Sequence, residues 1–179
     1  MQRLAVIGGT GLIEMTFDQQ LTEAGLTLER RDDLVVETKW GSVPLTCLKL
    51  SSGEVEKELI FLQRHHNQGN ASKPPHMIEH RANISALVDS GCEAIMAVCS
   101  VGAISADFPP GKVALADQYI DFTGVASTFH HEDATFTSVT EPFSSKLNSI
   151  LLNSLREAQS FSDSEKLHYT YWLAHGPQF

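Results

Sequence analysis

Apolar residues along the chain fall in short runs separated by glycine, proline and serine turns, and the order of those runs predicts an α/β fold. Leu4-Ala5-Val6-Ile7 stops at Gly8-Gly9 and reads as a buried first strand. Residues 29–40 carry mixed charges. From Leu34 to Leu50 the pattern is strand-like, with a turn at Gly41-Ser42. Ser51-Ser52-Gly53 marks a second turn, and Leu59–Leu62 is another buried strand, so this stretch predicts a meander that returns to the sheet. After a polar loop from Gln63 to Lys73, Pro74-Pro75 opens a helix. Met77, Ile84, Leu87 and Val88 share one face of it, and Gly91 stops it. Ala94–Val98 is a third apolar strand. A turn at Pro109-Pro110-Gly111 precedes a fourth at Val113–Ala116. Residues 121–143 have no period and read as a long loop. Leu147, Ile150, Leu151, Leu155 and Ala158 mark an amphipathic helix that starts near Pro142 and Ser144-Ser145, and His168–Ala174 is a last strand. No repeat, linker or low-complexity segment marks a boundary, so a single domain over 1–179 is expected.

Composition narrows the classes of function. The chain has 179 residues, 42% hydrophobic and 20% charged, which is a globular balance with enough apolar surface for a core. The formal net charge of −9 is the wrong sign for a dedicated nucleic-acid binder, so an anionic ligand needs a local positive site. Cys47, Cys92 and Cys99 are odd in number and lack C-x-x-C spacing. That argues against a disulfide framework or a zinc site and for a reducing cytoplasm. The start MQRLAVIGGTG reaches glycine too early for a signal peptide, and no apolar run is long enough to span a membrane. No membrane partner is expected.

Candidate chemistry gathers at strand ends. Gly8-Gly9-Thr10-Gly11 follows the first strand, where glycines let backbone amides approach an anion and Thr10 adds a hydroxyl. The dinucleotide pattern G-x-G-x-x-G fails because position 14 is Glu. Arg64-His65 follows Leu59–Leu62; Arg offers a planar fork for phosphate oxygens, and His65 can donate to the same anion. Cys99-Ser100 ends the third strand, so three strand ends are expected to converge on one anion-sized spot. His66 lacks motif support. His76, His80 and Asn83 share a helical face, but without matching carboxylates they read as caps and hydrogen-bonding groups, not as metal ligands. No metal site is expected.

The segments IGGTGL, RH, PPH, RANISAL, SVGAI, PPGKVALADQYIDFT, EPF and the final GPQF, in that order, resemble the methylthioadenosine and methylthioinosine phosphorylases of the purine nucleoside phosphorylase superfamily. The likeness runs over nearly the whole chain. It implies a three-layer αβα sandwich with a central mixed sheet, and phosphorolysis of a 5′-methylthio purine nucleoside. The products are a free purine and 5-methylthioribose 1-phosphate. Inorganic phosphate is the co-substrate, no other cofactor is needed, and homotrimers are usual. Carried over residue by residue, Thr10, Arg64, His65 and Ser100 contact phosphate, while Cys99, Ala174 and Phe179 contact the nucleoside. SVGAI leans toward the methylthioinosine type.

This sequence departs from the family pattern at several points. The loop after Arg64-His65 is about two residues longer and lacks RHG. Phe136 stands where many relatives carry a His that reaches a neighbouring subunit, and His175 and Cys99 replace more usual polar residues. The resemblance also implies a continuation after GP-x-F that carries the purine-contacting Asp or Asn. The expectation is therefore a C-terminally incomplete family fold with no catalytic acid of its own and with weak or no turnover.

Overall fold

The run Leu4–Ile7 lies in β1 (Arg3–Gly8), which has a parallel neighbour on each edge. Its neighbours are β4 (Val55–Gln63) and β5 (Ala94–Ala97). Two twelve-residue strands, β2 (Thr27–Thr38) and β3 (Gly41–Ser52), form a long antiparallel hairpin, and β3 pairs onward with β4. The result is a mixed five-stranded sheet in the order β2-β3-β4-β1-β5. The computed structural model describes residues 2–9, 12, 17–67, 72–126, 128–159 and 166–174. They belong to two compact units, Met1–Val101 and Gly102–Phe179.

In the first unit, Ala5, Val43, Leu45, Ile60 and Leu62 point from the sheet onto α2 (His80–Asp89), which answers with Ala82, Ala86 and Leu87. Burying one such leucine contributes about 1.5–3 kcal/mol. The α2 face differs from the expected one. Pro74-Pro75 open only a 3-10 turn at Pro75–Met77, and Ile78 is extended, so Met77 is not part of the helix and is 60% exposed. Helix α2 starts at His80, which rotates the buried stripe to residues 82, 83, 86 and 87 and leaves Val88 outside. Its end is as expected: Gly91 takes φ +72°. The Gly91 amide donates to the Val88 carbonyl and the Cys92 amide to the Leu87 carbonyl, closing a Schellman motif.

The meander is as expected, with three shifts. The hairpin turn falls at Lys39-Trp40, because Gly41 already pairs with Thr38. β2 begins at Thr27, ahead of the charged stretch, and runs through it, since an edge strand tolerates charge and is protected by it. α1 (Phe17–Glu23) has no counterpart in the apolar pattern.

The second unit holds β6 (Leu115–Phe122), α3 (Ser145–Gln159) and β7 (His168–Ala174). β6 and β7 pair in parallel, with α3 between them in sequence. β6 is longer than the apolar run Val113–Ala116, because pairing with β7 continues through Gln118–Phe122. Ser144 caps α3, its Oγ accepting from the Leu147 amide, and Asn148 Nδ2 ties the helix to the Ala116 carbonyl. Between β6 and α3 the described backbone is irregular. Local bonds to Asp121, Thr123, Thr128 and Asp133 side chains hold it.

Candidate active site

The parallel strands β4, β1 and β5 point their C-terminal ends the same way, so the segments that follow them emerge at one sheet edge. Ligands of open α/β sheets bind at that edge. Gly8 is in register with Gln63, and the Arg64 amide donates to the Gly8 carbonyl at 3.0 Å. On the other side the Val98 amide donates to the Ile7 carbonyl at 2.9 Å, one residue before Cys99. Cys99 and Ser100 follow as exposed, irregular chain. The expected convergence of three strand ends is therefore present in the backbone.

Arg64 is the cation of this edge, and its placement is fixed from two sides. A Cβ built on Gly9 would lie 2.9 Å from Arg64 Nη2, so the guanidinium rests on bare backbone. A Cβ on Gly8 would lie 2.8 Å from the Phe61 ring. These two close approaches give the glycine pair its physical reason. Arg64 Nε donates to His65 Nε2 at 3.2 Å. Among the described residues no acceptor engages its two Nη groups, which leaves the fork open to an oxyanion.

His65 is only 7% exposed, and both ring nitrogens are used. Nδ1 faces the Lys73 carbonyl at 2.9 Å, an acceptor only, so Nδ1 carries the proton. Nε2 then accepts from Arg64, which makes the ring neutral. In this arrangement the His65 ring aims Arg64. The Lys73 amide returns a bond to the His65 carbonyl at 2.8 Å, tying the far end of the loop to the same residue.

Neighbouring histidines divide between structure and electrostatics. His66 Nε2 is 2.8 Å from Oδ1 of the buried Asn83, which joins the strand-end loop to α2. His80 opens α2 within the field of Arg64. Partial burial first, and the Arg64 charge with it, hold the His80 imidazole below its ordinary pKa, against the opposing pull of Glu79. Glu79 itself is held below the usual carboxylate range by its bond from Arg81.

Of the other expected site residues, Thr10 and Phe179 lie outside the described residues. Ala174 is the exposed last residue of β7, in the second unit, opposite Phe122. One residue without a sequence signal belongs to the edge. Gln63, the last of β4, donates from Nε2 to the Gly9 carbonyl at 3.2 Å and accepts at Oε1 from the His65 amide at 3.1 Å. A glutamine at a strand end matches no motif, and both of its partners are backbone groups. Only the register of β1 against β4 reveals it.

A family model described as the phosphorylase superfamily matches residues 3–179. A probable 6-oxopurine nucleoside phosphorylase of Thermococcus kodakarensis is 36% identical over 167 residues, covering 88% of this chain and 56% of that protein. A probable S-methyl-5′-thioinosine phosphorylase of Methanothermobacter thermautotrophicus is 35% identical over 153 residues, covering 84% of this chain and 49% of that protein. The crystal structure of a methylthioadenosine phosphorylase from an Antarctic soil metagenomic library superposes with a TM-score of 0.77 at 28% identity, covering 99% of this chain and 58% of that one. The α/β architecture with a mixed central sheet is shared with that structure. The chain spans about half to three-fifths of the length of these relatives.

Proposed function

Because the chain belongs to the phosphorylase superfamily, we propose that it serves the phosphorolysis of a purine nucleoside. A phosphate oxygen attacks C1′, the bond from C1′ to the purine nitrogen breaks, and its electron pair leaves with the base. A pentose 1-phosphate and a free purine result. The observation that carries this reading is the Arg64 fork, held by His65 over the Gly9 backbone where β4 and β1 end together. An open guanidinium there suits two phosphate oxygens and places negative charge beside the oxocarbenium-like centre that develops at C1′.

We assign Thr10, His65 and Ser100, with Arg64, as phosphate contacts, and Cys99, Ala174 and Phe179 to the nucleoside. The substrate class is a 5′-methylthio purine nucleoside, with methylthioinosine favoured. The name of one relative and the SVGAI segment support that choice. Phosphate is the co-substrate, and no metal or organic cofactor takes part. The functional assembly is a cytoplasmic homotrimer, with 1–179 forming part of one nucleoside phosphorylase domain.

The share of the relatives' length spanned here favours a second reading of this chain by itself: phosphate capture without turnover. One experiment separates the two. The 179-residue chain is mixed with methylthioinosine with and without phosphate, hypoxanthine release is followed, and phosphate binding is titrated in parallel. We expect phosphate binding that Arg64→Ala abolishes, and little or no hypoxanthine. Phosphate-dependent release at an enzymatic rate would establish that residues 1–179 suffice. Failure to bind phosphate would refute both readings.

A further inference from the structure

We propose that Gln63 is a positioning residue for the anion cradle, a single side chain that locks the glycine loop to the Arg64-His65 turn. The inference rests on the phosphate reading above and extends it to a residue that no motif marks. The cradle is built from two separate pieces of chain, the segment after β1 and the segment after β4. Main-chain pairing holds them together only as far as the Arg64 amide on the Gly8 carbonyl. Beyond that point the His65 amide and the Gly9 carbonyl have left the ladder, and the one main-chain partner of that carbonyl among the described residues is the Leu12 amide of its own loop, at 3.1 Å, which does not reach β4. Gln63 takes both: its amide nitrogen donates to Gly9 and its amide oxygen accepts from His65.

The primary amide is suited to this position. It offers a donor and an acceptor on one rigid plane, so one residue satisfies a carbonyl and an N–H that face it from different loops. A carboxylate could serve only the N–H and would oppose the carbonyl. An apolar side chain of the same length would serve neither. The consequence reaches Arg64 along two routes. Gly9 is the surface on which the guanidinium rests, and His65 is the acceptor that aims it. Loosening Gln63 lets the floor and the aim of Arg64 drift independently, and misplacement of a positioning group by about 1 Å is costly to function.

The test compares Gln63→Met and Gln63→Glu with the unsubstituted chain and with Arg64→Ala, by titrating inorganic phosphate into the 179-residue protein. Urea unfolding of each variant is followed in parallel. Gln63→Met is expected to weaken phosphate binding about tenfold, the scale of losing bonds that orient a charged group. Gln63→Glu is expected to weaken it more at pH about 7.5, where a carboxylate faces both the Gly9 carbonyl and the incoming anion. Its distinguishing behaviour is rescue by acid. Once protonated, the new carboxyl group carries a hydroxyl donor and a carbonyl acceptor, as the glutamine amide carries a donor and an acceptor. The ratio of the dissociation constant of Gln63→Glu to that of the unsubstituted chain should therefore fall toward one as pH drops to about 4.5. A merely structural role gives no such profile.

Binding lost in Arg64→Ala but unchanged in both Gln63 variants would overturn the bridge and leave the phosphate site standing. So would a Gln63→Glu ratio that does not move with pH. Absence of phosphate binding by the unsubstituted chain would overturn the site and the bridge together.

Discussion

Among the described residues, Met1–Val101 buries eleven apolar side chains, from Ala5 to Leu87, whereas Gly102–Phe179 buries one, Leu167. The second unit instead shows Ile120, Phe122, Phe136, Ile150 and Trp172 about half or more exposed. The first unit has a five-stranded sheet with a helix laid on one face, so β1, β3 and β4 each have neighbours on both edges. The second has two strands and one helix, which offer few places where a side chain is covered on every side. Arg64, His65, Gln63 and Gly9, proposed as a phosphate cradle, all belong to the first unit. The lesson is that the cradle proposed for the anion lies in the unit with the larger buried core.

Each unit carries one of the two tryptophans, Trp40 and Trp172, so the contrast can be read by fluorescence with the other one replaced by phenylalanine. The Trp172 signal is expected to change at lower urea than the Trp40 signal. Leu62→Ala, at a fully buried site of β4, should destabilise the first unit by about 2–5 kcal/mol and shift the Trp40 transition alone. Coincident transitions that move together would break the comparison, because the units would then unfold as one body.

A smaller effect on stability but a clear one on binding is expected from Gly9→Ala. The added Cβ meets only the far end of Arg64, which can move aside, so unfolding should shift by less than about 1 kcal/mol. Phosphate affinity should drop, because the displaced fork loses its seat. A large fall in the urea midpoint with unaltered binding would mean that Gly9 serves the fold and not the cradle.

The smallest expected effect is on pH. His80 in the folded chain titrates below its ordinary 6.5, so as pH falls past that value the unfolded chain takes up the proton first. Stability of the first unit is therefore undiminished above about 6.5 and declines as pH is lowered through the window beneath it. His80→Gln should flatten that decline in the Trp40 midpoint. An unchanged slope would mean that burial and the nearby charge do not depress the His80 titration.

What depends on uninterrupted apolar runs is the most legible in the sequence. Leu4–Ile7, Leu59–Leu62 and Ala94–Val98 mark the three parallel strands, and Gly91 marks the end of α2, because buried strands and helix stops have strong local signatures. The first half of β2 is hidden by Glu29–Asp33, since an edge strand is allowed polar residues. The face of α2 is misleading because prolines at 74 and 75 suit a helix start and a 3-10 turn equally well. At the site, Arg64-His65 is legible from its place after a strand. The tautomer of His65 and the bridge of Gln63 are not, because both depend on which backbone groups lie opposite once β1 and β4 are in register.

The long hairpin affects how the cradle is reached. β3 pairs with β4 from Thr46 onward, but its pairing with β2 continues back to Gly41. Its first residues, Gly41–Leu45, are therefore paired with β2 alone, and Gly41–Val43 run about 10 Å past Gln63 at the end where Arg64 emerges. The overhang stands on the β4 side. A solute arriving over β3 must therefore first cross Val35 and Pro44 and the groove that they share with Gln63.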